Sequence, residues 1–278
     1  MKKRQLLSIV ALVTVMAPGA KASAIKWGHD YKAALKTART EHKLVMVDFY
    51  TSWCTWCKRL DKVTYPAAVV QKAMLEVIPV KLNAETNGSV QAKQFGVSAY
   101  PDVVFVSPSG KLISAILGYE DPAPFAHDIN NVITTFKTTS LEIPELKKGL
   151  AAQPKNVALL QKAVSVYSQI SDFSAATNAA DQLKAVDEAV YPASLEVIAE
   201  AYQNLGRYDS AQPLFKQIIT SAADVNLAAE ARVNLAITYM QQGSADPAKK
   251  LLNEVVGNSA VSKNLRSSAM NVLKQFSN

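Results

Sequence analysis

Both cysteines of the 278-residue chain fall within one six-residue stretch, Trp53-Cys54-Thr55-Trp56-Cys57-Lys58. The run before it, Leu44 to Tyr50, is short, apolar and rich in valine and aromatics, the pattern of a buried strand. A helical pattern follows. The fold must therefore carry two sulfurs from the end of a central strand to the start of a helix. Unpaired backbone N–H groups and the positive end of the helix dipole favour a thiolate there, lowering the Cys54 pKa toward roughly 7 or below. Cys57 lies within one helical turn, close enough to attack a mixed disulfide on Cys54. Cys54 thus reads as the nucleophile and Cys57 as the resolving thiol. Two other readings compete. Half of a zinc site needs two further ligands, and His29, His42 and His127 have no paired ligand spacing. A purely structural disulfide closing so short a loop would stabilise little.

The surrounding pattern, from Ile25 to about Phe136, alternates helices and strands. Tyr31, Ala34, Leu35 and Ala38 recur at helical spacing; Pro66 suits a helix start, and Ala68 to Leu75 continues it. Ile78 to Asn83 reads as a second strand and Ser89 to Phe95 as a helix closed by Gly96. Asp102 to Ser107 and Leu112 to Leu117 read as strands joined through Pro108-Ser109-Gly110, and Pro122 to Phe136 as a closing helix. This order predicts an α/β domain with a mixed sheet over residues 25–137.

A polar linker is expected at 138–143, because Lys137-Thr138-Thr139-Ser140 precedes Pro144. Beyond it, from 144 to 278, the chain reads as all helical and repetitive. Tyr167, Tyr202 and Tyr239 are spaced by 35 and 37 residues. Each is followed at equal offsets by Ser171, Gly206 and Gly243, then by Ala176, Ala211 and Ala248, then by Leu183, Ile218 and Val255. This resembles the tetratricopeptide repeat, with a period of about 34 residues; a plain helical bundle is the competing reading. Ser171 stands where glycine is usual, and Pro213 falls inside an expected helix. Val261 to Phe276 would form a capping helix.

Residues 1–24 read as a secretory signal peptide. Lys2, Lys3 and Arg4 precede a short apolar run from Leu6 to Met16, and Ala22-Ser23-Ala24 offers a cleavage site. The whole chain has 30 basic and 23 acidic residues, a charge of +7. Four of the basic residues lie in the leader, so the mature chain has 26 against 23, or +3. That balance gives little support to nucleic acid binding. An exported, periplasmic and soluble protein is expected.

Residues 40 to 136 resemble the thioredoxin family, and within it the carboxy-terminal periplasmic domain of the DsbD transmembrane disulfide reductases. The likeness rests on Val45-Met46-Val47-Asp48-Phe49-Tyr50, the Trp53 to Lys58 motif, Lys81-Leu82-Asn83 and Ala99-Tyr100-Pro101, in the family's order and spacing. It implies that Pro101 is cis and faces the cysteines, that Asp48 exchanges a proton with the resolving cysteine beside Lys81, and that Trp53 and Tyr100 border a docking peptide. It also implies a membrane reductase as electron donor. Asp48 is unusual on physical grounds too, since an unpaired carboxylate in a buried strand tends to hold its proton. No chemistry is assigned to Trp56. Thr55-Trp56 matches neither the reducing nor the oxidising members of the family, and Asp102, placed near Cys54, would oppose a thiolate.

The expected function is a thiol-disulfide oxidoreductase acting on protein thiols and disulfides in the reducing direction, with no cofactor or metal beyond the Cys54–Cys57 pair. The repeats would hold a protein partner. An adaptor that uses the thioredoxin fold as a platform is the alternative, against which the intact cysteine pair argues. Periodicity places Glu196, Glu200, Gln203, Asn204, Glu230, Ile237 and Gln241 in the repeat groove with no lysine or arginine, favouring a neutral or basic protein surface.

Overall fold

Asp30 opens the ordered pattern by accepting hydrogen bonds from the backbone N–H groups of Lys32 and Ala33, which satisfies the free donors of helix α1, Tyr31–Glu41. The computed structural model describes residues 25–277, so the leader sequence expected at 1–24 lies outside the described residues. Strand β1, Leu44–Tyr50, is buried on both faces, which explains its continuous apolar sequence. Helix α2, Thr55–Arg59, follows the cysteine turn and runs on through a wider π-type turn at Leu60–Thr64. Next come α3 (Ala68–Met74), β2 (Val77–Asn83), α4 (Ser89–Phe95), β3 (Asp102–Val106), β4 (Leu112–Leu117) and α5 (Pro122–Ala152). The sheet order is β2-β1-β3-β4, with β1 and β2 parallel and the other pairs antiparallel. This is the mixed sheet expected from the sequence.

The two sheet faces carry separate cores. Met46, Val103 and Phe105 pack with Leu60, Tyr65, Val70, Phe125 and Ile129 on one side. Val45, Val47, Phe49, Val104 and Val106 pack with Ala38 and Phe95 on the other. Strand alternation therefore sends Asp48 to the first face and Asp102 to the second.

The linker expected at 138–143 is helical, because α5 continues through it and through Pro144. Polarity misled the reading: Lys137 to Ser140 contains no glycine, and Thr139 is buried with its hydroxyl donating to the Thr135 carbonyl at 2.7 Å. Phe125, Ile129 and Ile133 anchor the start of α5 in the sheet domain, while Leu146, with Ile143 and Leu150 against it, packs in the first repeat core. Burial at both ends outweighs the cost of one internal proline.

Helices α6 (Val157–Gln169) and α7 (Phe173–Val186), α8 (Tyr191–Asn204) and α9 (Tyr208–Ser221), and α10 (Val225–Gln241) and α11 (Ala245–Gly257) form three hairpins, capped by α12 (Lys263–Lys274). The aligned positions have one physical role each. Ser171, Gly206 and Gly243 all have positive φ, at 54°, 67° and 76°. The next residue's N–H reaches back to the carbonyl of Tyr167, Tyr202 or Tyr239 at 2.8 to 2.9 Å, which closes each first helix with the same left-handed C-terminal turn. Ala176, Ala211 and Ala248 are fully buried where the paired helices cross. Pro213 is accommodated inside α9.

The repeats are docked on β4 through two of these turns. Ser171 Oγ donates to the Ile113 carbonyl at 2.8 Å, Lys111 pairs with Asp172 at 2.7 Å, and a Cβ added to Gly206 would lie 2.7 Å from Leu117 Cδ1. Among the described residues no helix is long and apolar enough to cross a membrane.

Candidate active site

Cys54 occupies the N-cap of α2, and its Sγ accepts the Cys57 backbone N–H at 3.0 Å. The two cysteines form a disulfide with their Cα atoms 5.4 Å apart, so the structure is that of the oxidised pair. Both are buried, and the Tyr100–Pro101 peptide bond is cis. Trp53 meets Tyr100 edge to face, with ring centroids 5.9 Å apart. Its indole N–H donates to Glu85 Oε1 at 2.9 Å while 63% of the residue remains exposed. The two residues expected to border a docked peptide are therefore in contact, Trp53 exposed and Tyr100 half-buried.

Asp48 and Lys81 are also brought together. They are register partners on adjacent strands, and Lys81 Nζ lies 3.0 Å from Oδ2 of the fully buried Asp48. Burial raises the Asp48 pKa above the usual carboxylate range, opposed by the charge of Lys81. Burial by itself would lower the Lys81 pKa, but Asp48 and Asp61 outweigh it and the net direction is upward. Burial and the neighbouring Asp48 push the Tyr65 hydroxyl well above its usual value. The set is a shielded carboxylate that holds one proton more tightly than a surface aspartate, next to a retained cation.

Sequence reasoning missed four residues around Lys81. Asp61 shares the Lys81 ammonium, and the Tyr65, Trp27 and Tyr50 rings lie 5.2 to 5.4 Å from it, within cation–π range. Cys57, Asp61 and Tyr65 are spaced by four residues, one face of a helix, and that spacing was a usable signal. Trp27 carried none, since a bridge pairing Gly28 with Val80 places it. Trp56 forms an exposed stack, tilted on Tyr119 with centroids 5.5 Å apart. The Arg59 guanidinium lies 4.6 Å from the Tyr119 ring centre.

Asp102, expected near Cys54, is 1% exposed and lies on the sheet face opposite Asp48. Burial pushes its pKa up to about 7, against the lowering influence of Arg207 from the repeat domain. The groove residues differ as well. Gln203 donates to the Asn234 carbonyl and to Thr238 Oγ1, both at 2.9 Å, and Asn234 donates to Glu200 at 3.1 Å. These side chains join α8 to α10. Glu200 and Asn204 line an open pocket together with Ile113 and Ser114 of β4, so this part of the groove faces the sheet domain. Among the described residues, no group of three or more His, Cys, Asp or Glu side chains is arranged to hold a metal ion.

Residues 31–133 match the model of a thioredoxin-like domain, and residues 204–262 that of a tetratricopeptide repeat. The thiol:disulfide interchange protein DsbD of Pseudoalteromonas atlantica is 30% identical over 110 residues, 37% of this chain and 18% of that protein. A protein disulfide-isomerase of Zea mays is 35% identical over 98 residues, 35% of this chain and 18% of that protein. The matched stretch thus spans under a fifth of the length of these curated relatives. Among solved structures, the oxidised DsbD carboxy-terminal domain of Neisseria meningitidis is 27% identical, covering 38% of this chain and 98% of its own, with a TM-score of 0.34. The chain joins a domain of the thioredoxin-like family, at residues 31–133, to a helical domain with tetratricopeptide repeats matched at residues 204–262.

Proposed function

We propose that this protein is an exported thiol-disulfide oxidoreductase that reduces disulfides in protein partners. The observation that carries the reading is the Cys54 sulfur at a helix N-cap, facing a backbone N–H at 3.0 Å and bonded to Cys57. In the reduced enzyme the Cys54 thiolate attacks one sulfur of a partner disulfide, and the other partner sulfur leaves as a thiolate and takes a proton. Cys57 then gives its proton to Asp48 and attacks Cys54 Sγ, releasing the second partner thiol and leaving the Cys54–Cys57 disulfide. Two electrons pass to the partner. A dithiol donor, of the kind a membrane reductase presents, restores the reduced pair.

Trp53, Tyr100 and Pro101 border the partner peptide, and Lys81 holds Asp48 in place for proton exchange. Export rests on the basic, apolar and small-residue order of residues 1–24, with a periplasmic destination. The reducing direction rests on the likeness to a reductase domain and on the absence of a histidine between the cysteines. The two domains act as units at 25–137 and 144–278 that share α5, and the repeat domain recruits the protein partner.

Two measurements test the proposal. Cys57→Ser should accumulate mixed disulfides while Cys54→Ser forms none, and in the reduced protein Cys54 should be alkylated faster than Cys57 at neutral pH. The equilibrium potential against glutathione should lie below about −200 mV. Equal alkylation rates would overturn the assignment of the nucleophile. A potential near that of the strongest oxidants of the fold, about −120 mV, would make the protein a disulfide donor.

A further inference from the structure

The six-residue path from the end of α4 to the cis proline starts at Gly96, and β3 begins immediately after Pro101 with Asp102. A single guanidinium from the repeat domain acts on both ends. Arg207 Nη1 donates to the Gly96 carbonyl at 2.8 Å, and its Nε would lie 3.1 Å from a Cβ placed on Gly96, so the guanidinium lies close against the Gly96 backbone. Its charge also acts on Asp102. Each of these groups has a buried polar atom without a hydrogen-bond partner, Nη2 of Arg207 and Oδ1 of Asp102, and an unpaired buried polar atom is costly in such surroundings. Between the two ends, Ser98 and Ala99 line a crevice with Tyr208, Asp209 and Gln241 of the repeats, so the middle of the loop stands clear of the helices.

Arg207 itself is fixed by the repeat. It follows Gly206, whose left-handed turn directs its N–H to the Tyr202 carbonyl at 2.9 Å and packs against Leu117. A shift of α8 against β4 would therefore move the guanidinium relative to Gly96 and Asp102.

We propose that Arg207 is a positioning residue for thiol exchange, through which the repeat domain holds the loop carrying Tyr100 and Pro101 in the shape that receives a partner peptide. This rests on the oxidoreductase reading above. Other charged or titratable groups acting with Asp102 are Asp48 on β1, which raises its pKa, and Tyr208 of the repeats, whose own pKa is raised by burial and by Asp102. Arg207 is the cation among them.

The test uses the full chain with Arg207→Gln and Arg207→Lys. Steady-state reduction of a protein disulfide should show KM rising about tenfold in Arg207→Gln, with kcat changed by less than about threefold, since a loop displaced by a fraction of an ångström costs alignment before chemistry. Arg207→Lys should recover most of the KM. In parallel, the Asp102 carboxyl followed by carbon NMR should titrate at higher pH in Arg207→Gln and near its wild-type value in Arg207→Lys. An unchanged KM, an equal fall in kcat, or an unshifted Asp102 titration in a folded Arg207→Gln protein would overturn the proposal. Failure of the wild-type chain to exchange any disulfide, glutathione included, would instead sink the oxidoreductase reading.

Discussion

Lys81 Nζ stands 3.0 Å from Oδ2 of Asp48, a carboxylate with no exposed surface. Three aromatic rings and Asp61 surround the same ammonium. A buried ion pair adds little net stability compared with a packed apolar pair, but removing one member leaves an uncompensated charge. Lys81→Gln should therefore cost about 3 to 5 kcal/mol by denaturant unfolding. The cost should be largest where Asp48 is ionised and shrink as pH falls through its raised folded pKa. In an Asp48→Asn background the same change should cost much less, the remainder coming from Asp61 and the three rings, and an undiminished cost there would show that Lys81 does not act through the Asp48 charge.

Asp48→Asn should slow the decay of the mixed disulfide about a hundredfold and leave its formation nearly unchanged. The decay step should also lose the pH inflection belonging to a carboxyl raised above the ordinary aspartate range. Separate rates of formation and decay against pH decide this, and an unchanged decay profile would leave Asp48 without a part in proton transfer.

Asp102 predicts a stability effect of definite sign. Its pKa is raised from 3.8 to about 7 in the folded chain, so between those values the native state binds more protons than the unfolded state. Stability then falls as pH rises through this window and levels off above it. The loss is up to about 4 kcal/mol, at 1.36 kcal/mol per pKa unit. Asp102→Asn should flatten that slope in urea melts between pH 4 and 8, and a slope equal to wild type would place the titration elsewhere.

Gly206 and Gly243 separate backbone strain from domain docking. Both have positive φ, but an added Cβ meets Leu117 at 2.7 Å only at Gly206 and open space at Gly243. Gly243→Ala should cost about 1 kcal/mol from the left-handed backbone alone. Gly206→Ala should cost up to about 1 kcal/mol more, since the methyl it meets ends a partly exposed Leu117 side chain that can turn aside, and loosen the repeats from β4, seen as faster amide exchange along Leu112–Leu117. Equal costs would mean that the turn contributes nothing to docking.

The sequence by itself determined the parts whose signals are local. The apolar run Leu44 to Tyr50 followed by Cys54 and Cys57 specified a buried strand and a thiol pair at a helix start. The equal offsets after Tyr167, Tyr202 and Tyr239 specified one hairpin three times, even where Ser171 replaced glycine, because its φ of 54° fits the same turn. Asp48 was conspicuous because a charge in such a run needs a reason. Only the tertiary structure decided the rest, since each remaining feature depends on groups far apart in the chain. Packing at both ends carries α5 through a stretch whose polarity reads as a linker. Strand alternation turns Asp102 to the face opposite Asp48. Arg207, 111 residues from Gly96 in sequence, reaches its carbonyl because the Gly206 turn docks on β4. Hydrophobic periodicity records which residues are buried, but the identity of the element that buries them is set by long-range packing, which leaves no local pattern.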